Sequence, residues 1–374
     1  MAIDARDEAL LGRAVELAER GRRRVSPNPL VGAVVARGDR TLGEGWHAAY
    51  GEAHAEVAAI RAAAGEALEG STIYVSLEPC CHTGRTPPCT DAILAAGIGR
   101  VVVASDDPST KAAGRGLGIL RDEGVAVDVA VPTSDVAVGA RLQNQPFRKH
   151  AKTGLPWVML KTATSLDGRL ATQAGDSRWI SSGPSRDLAH RWRTEVDAVV
   201  VGIGTALADD PQLTARVADA VRQPRRVVFD SEARLPLDGK LVASAAEVPV
   251  TVIATRAASR SATDALRASG VEVVIVSGQN EHDRVRAGLA ELGQRGVTSL
   301  MLEGGAHLAG AFFDAGEIDE LRMFVAPLLL GGRSAPPMLG GEGVERIADA
   351  RRPLEVTREP VGDDLLTIAR LKEW

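Results

Sequence analysis

His54 and Glu56, two residues apart in "HAE", and the cysteines Cys80, Cys81 and Cys89 in "EPCCHTGRTPPC" are the side chains best suited to chemistry. Those three are all the cysteines of a 374-residue chain, and one Pro- and Gly-bearing loop holds them. Packing would scatter them, and a disulfide would use two. A catalytic zinc ion takes three nitrogen or sulfur ligands from protein and keeps a fourth position open. His54 and two cysteines meet that count, and Glu56 is close enough to serve the open position without being a ligand. Zinc lowers the pKa of its water to about 7. Glu56 would take that water's proton and later deliver it to a leaving amine.

H-x-E followed by P-C-x-x-C is the pattern of zinc deaminases, and here its second half is stretched to eight residues between Cys80 and Cys89. Pro79-Cys80 supplies the start. Cys89 follows two prolines and fits the opening turn of a helix, where the dipole helps hold a thiolate. Cys81 points elsewhere by alternation and is the expected non-ligand. Two other readings are a buried or redox-active cysteine cluster, and a closed structural site that also uses Cys81.

Those residues need a scaffold of alternating elements. Asp7 to Arg23 place Leu10, Leu11, Ala14, Val15, Leu17 and Ala18 on one helical stripe. "LVGAVVA", "STIYVSL", "RVVVAS" and "VAVDVAV" read as strands, and "HAEVAAIRAAA", "PCTDAILAAG" and "GLGILRDEG" as helices between them. Strands separated by helices imply a mostly parallel sheet sandwiched by helices. The polar, basic stretch Gln143 to Pro156 reads as a solvated boundary, giving domains over 1–147 and 154–374. Beyond it "WVMLKTA", "DAVVVGIG", "RRVVFDS", "VPVTVIAT", "VEVVIVS", "SLMLEGG" and "LRMFVAP" restart an α/β alternation, with helices such as Ser185 to Glu195 and Asp283 to Gly293.

Composition narrows the partners. The length suggests two cores, and 45% hydrophobic with 25% charged residues is ordinary for a soluble globular protein. A net charge of −5 offers no field for a nucleic-acid backbone, and 3% aromatic residues leave few stacking platforms. That weighs against a nucleobase or nucleic-acid deaminase with a non-catalytic second domain, which is the alternative reading. No apolar run reaches membrane-spanning length, and early acids with late arginines oppose a signal peptide. A reducing cytoplasm is the expected location.

"SPNPLVGAVV", "GEGWHAAYGEAHAE" and "YVSLEPCCHTGRTPPC" resemble the deaminase domain of the bifunctional riboflavin-biosynthesis deaminase/reductases. The resemblance implies a cytidine-deaminase-like α/β/α sandwich. It implies zinc on His54, Cys80 and Cys89, Glu56 as proton shuttle, and substrate contacts at Asn28, His47, His82 and Arg85. Asn28 suits the amide edge of a pyrimidine, and His82 and Arg85 suit a phosphate; a turn asparagine and surface basic residues are the plainer readings. The chain departs from the family at Ala58, where many members carry histidine, and over Ser109 to Gly116, which puts that loop in question.

The second half carries "LKTATSLDGRLAT", "GDSRWIS", "VVVGIGTALADDPQLTAR", "VVFDSEARLP" and "LMLEGGAHLAGAFF", which are similar to the same family's dihydrofolate-reductase-like reductase domain. "GIGTAL" is no dinucleotide fingerprint, since Leu207 stands where the third glycine belongs. In "EGG", the backbone N–H groups of Gly304, Gly305 and Ala306 would face a phosphate at a helix start, or else form a tight turn. The resemblance implies NADPH contacts at Ala163, Trp179, Thr205, Asp209, Ser231 and that glycine turn. It implies substrate contacts at Ser177, Arg193, Leu213, Arg216 and Glu303. Arg193 and Arg216 suit bidentate phosphate binding, and Lys161 is either a proton donor to the opening ribose or a structural ion-pair partner. The implied substrate is a phosphoribosylaminopyrimidine, deaminated and then reduced, in a homo-oligomer paired through the second domains.

The catalytic and structural zinc readings part at Cys81. A Cys81→Ser chain is expected to keep its metal and its ammonia release, measured by metal analysis and an ammonia assay; loss of zinc would favour the closed structural site.

Overall fold

The computed structural model describes residues 3–218 and 220–374, which divide into two compact units meeting in sequence at Thr153 and Gly154. No helix among them is long and apolar enough to cross a membrane. The first unit comprises α1 (Ala5–Ala18), β1 (Gly32–Arg37), β2 (Arg40–Trp46), α2 (Ala55–Ala62), β3 (Thr72–Val75), α3 (Cys89–Ala95), β4 (Arg100–Val103), α4 (Arg115–Asp122), β5 (Ala126–Val129), α5 (Asp135–Gln143) and α6 (Gln145–Thr153). Its sheet runs β2-β1-β3-β4-β5.

Strand alternation sends Ala33, Val35, Ile73, Val75, Val101 and Val103 to one face, where Ala55 and Ala59 of α2, Ile93 of α3 and Leu120 of α4 cover them. Val34, Tyr74 and Val102 face the other side, under Leu11, Ala14 and Leu17 of α1 and Ala137 and Ala140 of α5. The α/β/α sandwich is therefore the architecture that forms. Its sheet is more mixed than the alternation suggests, because β1 pairs antiparallel with both β2 and β3, and only β3-β4-β5 are parallel.

The strand β2 is hidden in the sequence by its glycines, and the structure shows why they are there. A Cβ at Gly43 would stand 2.3 Å from Ala59 O, and one at Gly45 2.3 Å from Ala59 N. The backbone of α2 thus lies directly on β2, an approach only glycine permits. That contact seats the helix bearing His54 and Glu56.

The segment from Gln143 to Pro156 differs from the solvated boundary expected of it. It contains the whole of α6, with Arg148 and Lys149 buried. Arg148 donates to Asp106 O at 2.8 Å and to Ser105 Oγ at 3.2 Å, so its charge is satisfied within the fold. Mean polarity concealed an amphipathic helix.

The second unit comprises β6 (Trp157–Ser165), α7 (Gly183–Trp192), β7 (Ala198–Gly202), α8 (Ile203–Asp209), β8 (Arg225–Phe229), α9 (Lys240–Ala243), β9 (Val250–Ala254), α10 (Arg260–Ala268), β10 (Glu272–Ile275), α11 (Glu281–Gln294), β11 (Ser299–Leu302), α12 (Ala306–Asp314), β12 (Glu320–Ala326), β13 (Glu355–Val361) and β14 (Asp364–Arg370). The sheet order is β10-β9-β8-β7-β11-β6-β12-β14-β13, parallel through β12 and antiparallel across β14 and β13. Strands buried on both faces, such as Ala198–Val201 and Ser299–Leu302, give the continuous apolar runs visible in the sequence. The hairpin β13-β14 carries no such signal: β13 is almost entirely exposed and contains Pro360, as an edge strand can.

One buried ionic cluster ties the first unit together. Asp7, in a capping box with Asp4, accepts from Tyr74 Oη at 2.8 Å and from Arg100 Nη1 and Nη2 at 2.9 and 2.8 Å. Arg100 chiefly holds the Asp7 carboxyl below its ordinary value, against the opposing effect of burial. A depressed carboxyl stabilises the fold above its unfolded pKa, and that stability is lost as pH falls through the folded value. Replacing Asp7 with Asn leaves Arg100 short of a charge, and Asp7→Asn is expected to cost about 3 kcal/mol in urea unfolding at neutral pH. The deficit should shrink in acid; a variant as stable as the parent at pH 7 would show the cluster to be neutral.

Candidate functional site

In the first unit α2 and α3 bring their N-termini to the same place. His54 is the N-cap of α2, Cys89 is the first residue of α3, and Cys80 lies on the loop between β3 and α3. One ligand atom from each of His54, Cys80 and Cys89 lies within 4.8 Å of the others. His54 Nδ1 is 3.3 Å from Cys89 Sγ and 3.5 Å from Cys80 Sγ. Tetrahedral zinc with bonds of about 2.3 Å to sulfur and about 2.0 Å to nitrogen separates such donors by about 3.6 Å. The donor set fits that ion.

The electrostatics agree. Hydrogen bonds from Cys89 and His54 hold the Cys80 thiol down to about 4, while the bond to Cys80 and burial push Cys89 up. The two sulfurs therefore compete for one proton, a position a divalent cation would take. Glu56 is buried beside them, its carboxyl raised to about 7 by burial and then by the charge of Cys80. That value suits a group that must accept and release a proton near neutrality.

Around this centre, His47 Nδ1 lies 3.1 Å from Ala53 O, a carbonyl that can only accept. The neutral ring, favoured by burial, then presents the Nε2 lone pair to the Asn28 amide group at 3.1 Å. Asn28 is thereby oriented with Oδ1 free to accept from a ligand. His82 and Arg85 lie on the exposed loop 81–88, and the Arg85 guanidinium covers the Tyr50 ring at 4.5 Å. Cys81 Sγ is 3.8 Å from Lys111 O and outside the ligand cluster. The loop over Ser109 to Gly116, where the sequence departs from the family pattern, is anchored by Gly114 N donating to Glu78 Oε2 at 3.0 Å.

In the second unit the C-terminal ends of the parallel strands open into a cleft of about 1450 Å³. Lys161 and Ala163 line it from β6, Ser177 and Trp179 from the following connection, and Arg193 from the end of α7. Thr205 and Asp209 of α8, Leu213 and Arg216 beyond it, Ser231 after β8, and Glu303, Gly304, Gly305 and Ala306 at the β11–α12 turn complete the set. Every residue the sequence singled out in this half faces one cavity. Gly305 is the N-cap of α12 with no side-chain cap, so the first N–H groups of that helix are open to an anion.

Arg193 departs from its expected grip on phosphate. Its Nε and Nη2 meet the Glu303 carboxylate at 2.7 and 2.8 Å, and Nη1 donates to Thr214 O at 2.9 Å. Two buried opposite charges have paired, so the fork is already used. Burial raises the Glu303 carboxyl, but Arg193 outweighs it and holds it at about 2. Lys161 is pushed down by burial, with Glu303 opposing. Arg216 stays exposed at the rim.

Three residues escaped the sequence reading. Tyr50 supports Arg85. His190 faces the cleft, its Nδ1 buried without a partner among the described residues and its ring pushed down to about 4 by burial and by Arg193 and Arg216. Thr86 Oγ1 is 3.3 Å from His54 Nε2. A ligating histidine needs a partner for its second nitrogen, and the residues beside the cysteines are where to look for one.

Comparison with known proteins finds relatives for both halves of the chain. Residues 4–105 match the cytidine and deoxycytidylate deaminase zinc-binding region, and residues 156–359 match the RibD C-terminal domain. The chain is 40% identical to the riboflavin biosynthesis protein RibD of Bacillus amyloliquefaciens, over 92% of this chain and 90% of that protein. It is 38% identical to RibD of Escherichia coli (strain K12), over 92% and 94%. Among solved structures, Acinetobacter baumannii RibD (form 1) superposes with a TM-score of 0.86 at 36% identity, covering 98% of this chain and 99% of that one. A Thermotoga maritima diaminohydroxyphosphoribosylaminopyrimidine deaminase/5-amino-6-(5-phosphoribosylamino)uracil reductase gives 0.83 at 32%, with the same coverage.

Losing the Thr86 hydroxyl removes the partner of a metal-ligating ring. Thr86→Val is expected to weaken zinc binding about ten- to a hundredfold in chelator competition; unchanged affinity would leave Thr86 with no part in holding His54.

Proposed function

Because this chain belongs to the RibD family of riboflavin-biosynthesis proteins, with a zinc-type deaminase domain ahead of a reductase domain, we propose the following substrate and residue roles. The first domain, over 1–147, hydrolyses the exocyclic amine of 2,5-diamino-6-ribosylamino-4(3H)-pyrimidinone 5′-phosphate. The second, over 154–374, reduces the ribosyl group of the product to ribityl. The observation that carries the reading is the convergence of His54, Cys80 and Cys89 beside the buried carboxyl of Glu56.

His54 Nδ1 and the sulfurs of Cys80 and Cys89 would hold zinc, which when bound supplies the Lewis acidity that makes water a nucleophile near neutral pH. Glu56 takes the proton of the attacking water and returns it to the nitrogen as the C–N bond breaks and ammonia leaves. Asn28, fixed by His47, accepts from the pyrimidine edge through Oδ1. Arg85, braced on Tyr50, and His82 bind the phosphate.

NADPH, when bound in the cleft, would supply the hydride for the second step. The hydride goes to C1′, the C1′–O bond of the ring breaks, and the ring oxygen takes a proton. Lys161 is the donor: a buried ammonium with a lowered pKa gives its proton up readily. Glu303 stays ionised beside it, and Arg193 positions Glu303 while Arg216 remains for the substrate phosphate. The glycine turn would hold the cofactor's pyrophosphate.

We assign the chain to the cytoplasm, where its three cysteines, none of them in a disulfide, stay reduced. We also assign it a homo-oligomer formed through the second domain. The edge strand β13, with Val356 exposed on it and Leu354 exposed just before it, supports that pairing.

Glu56→Gln removes the shuttle without removing a ligand. Ammonia release should fall by at least about a hundredfold with zinc retained and NADPH oxidation on deaminated substrate unaffected; release at the parent rate would remove Glu56 from the mechanism.

A further inference from the structure

In the first unit, one buried amide serves both backbone groups of a residue 114 positions away. Asn144, the C-cap of α5, is 3% exposed. Its Oδ1 accepts from Leu30 N at 2.8 Å, and its Nδ2 donates to Leu30 O at 2.9 Å. Such paired bonds ordinarily join neighbouring strands, yet residues 22–31 form neither helix nor strand. Leu30 is itself buried, so its N–H and C=O must find partners within the protein. The side chain of Asn144 stands in for the missing ladder.

What it holds is the turn that carries Asn28. In "SPNPL" a proline flanks Asn28 on either side. Each proline ring fixes φ at about −65°, and a residue that precedes proline is itself confined to extended backbone. Few free torsions separate Leu30 from Asn28, so anchoring the first places the second. The next residue extends the path, because Val31 O accepts from His47 N at 2.9 Å. His47 Nε2 in turn lies 3.1 Å from the Asn28 amide. Through Leu30 and Val31, Asn144 reaches both members of that pair. His54, Cys80 and Cys89 lie on other elements, at the starts of α2 and α3 and on the loop before α3.

We propose that Asn144 is a positioning residue of the deaminase, one that sets Asn28 against the edge of the pyrimidine. A misaligned acceptor weakens the hold on substrate and transition state alike, which raises KM and leaves kcat as it was. An amide that only filled space in the fold would cost stability without singling out KM. The proposal rests on the reading of Asn28 as a pyrimidine contact.

The test is a double-mutant cycle on ammonia release by the full chain, using Asn28→Ala, Asn144→Ala and the double variant. Zinc content and NADPH oxidation on deaminated substrate are the controls for folding. Asn144→Ala should raise KM about tenfold, with kcat and zinc unchanged. The double variant should bind substrate no worse than Asn28→Ala, because both changes remove one contact. Asn144→Gln, which keeps the amide on a longer stem, should recover part of the loss. An unchanged KM in Asn144→Ala would overturn the proposal, as would effects that simply add in the double variant. Loss of zinc from both Asn144 variants would also overturn it, since the amide would then support the whole domain. Should Asn28→Ala itself leave KM unchanged, the reading of Asn28 as a substrate contact falls instead.

Discussion

The first site depends on a close approach of backbone to backbone. Gly43 and Gly45 let α2 settle onto β2 with no side chain between them, and so His54 and Glu56 take their places relative to a sheet already committed to its register. From the other direction, β3 ends at the Pro79-Cys80 corner, and α3 returns with Cys89 as its first residue. Three donors that are distant in sequence meet because two helix starts and one loop are anchored to the same sheet. Were α2 displaced by the width of a methyl group, the nitrogen–sulfur spacing that suits a tetrahedral ion would be lost.

The second site solves a different electrostatic problem. A cleft that must take up a phosphorylated sugar and an anionic cofactor needs positive charge, yet buried charge must be satisfied when the cleft is empty of them. Glu303 meets that need for the buried Arg193, while the exposed Lys240 and Arg178 lie beside Asp210 and Asp209. The same pair reaches Lys161, whose pKa is lowered by burial, with the ionised Glu303 opposing that lowering.

Much of this was readable in the residues. The strand runs stood out because strands covered on both faces are continuously apolar, and H-x-E with P-C marked the metal centre because few spacings bring such donors together. Other parts were illegible for physical reasons. β2 was masked by the glycines that make its packing possible, and β13 by exposure on both faces. Arg148 and Lys149 looked solvated because composition registers charge, whereas burial depends on the partner a charge finds. Arg193 was expected to grip phosphate because its chemistry suits that role; its pairing with Glu303, 110 residues away, is a tertiary fact. Thr86 lay in plain view inside the cysteine loop, and only the geometry of the His54 ring gives it a purpose.

The central claim is that one imidazole and two thiolates hold a zinc ion in the first domain. Metal analysis of the protein purified without chelators tests it most directly. The account predicts one zinc ion per chain, lost in Cys80→Ser and Cys89→Ser chains that remain folded. A folded parent chain that releases ammonia from its substrate without stoichiometric metal would contradict it.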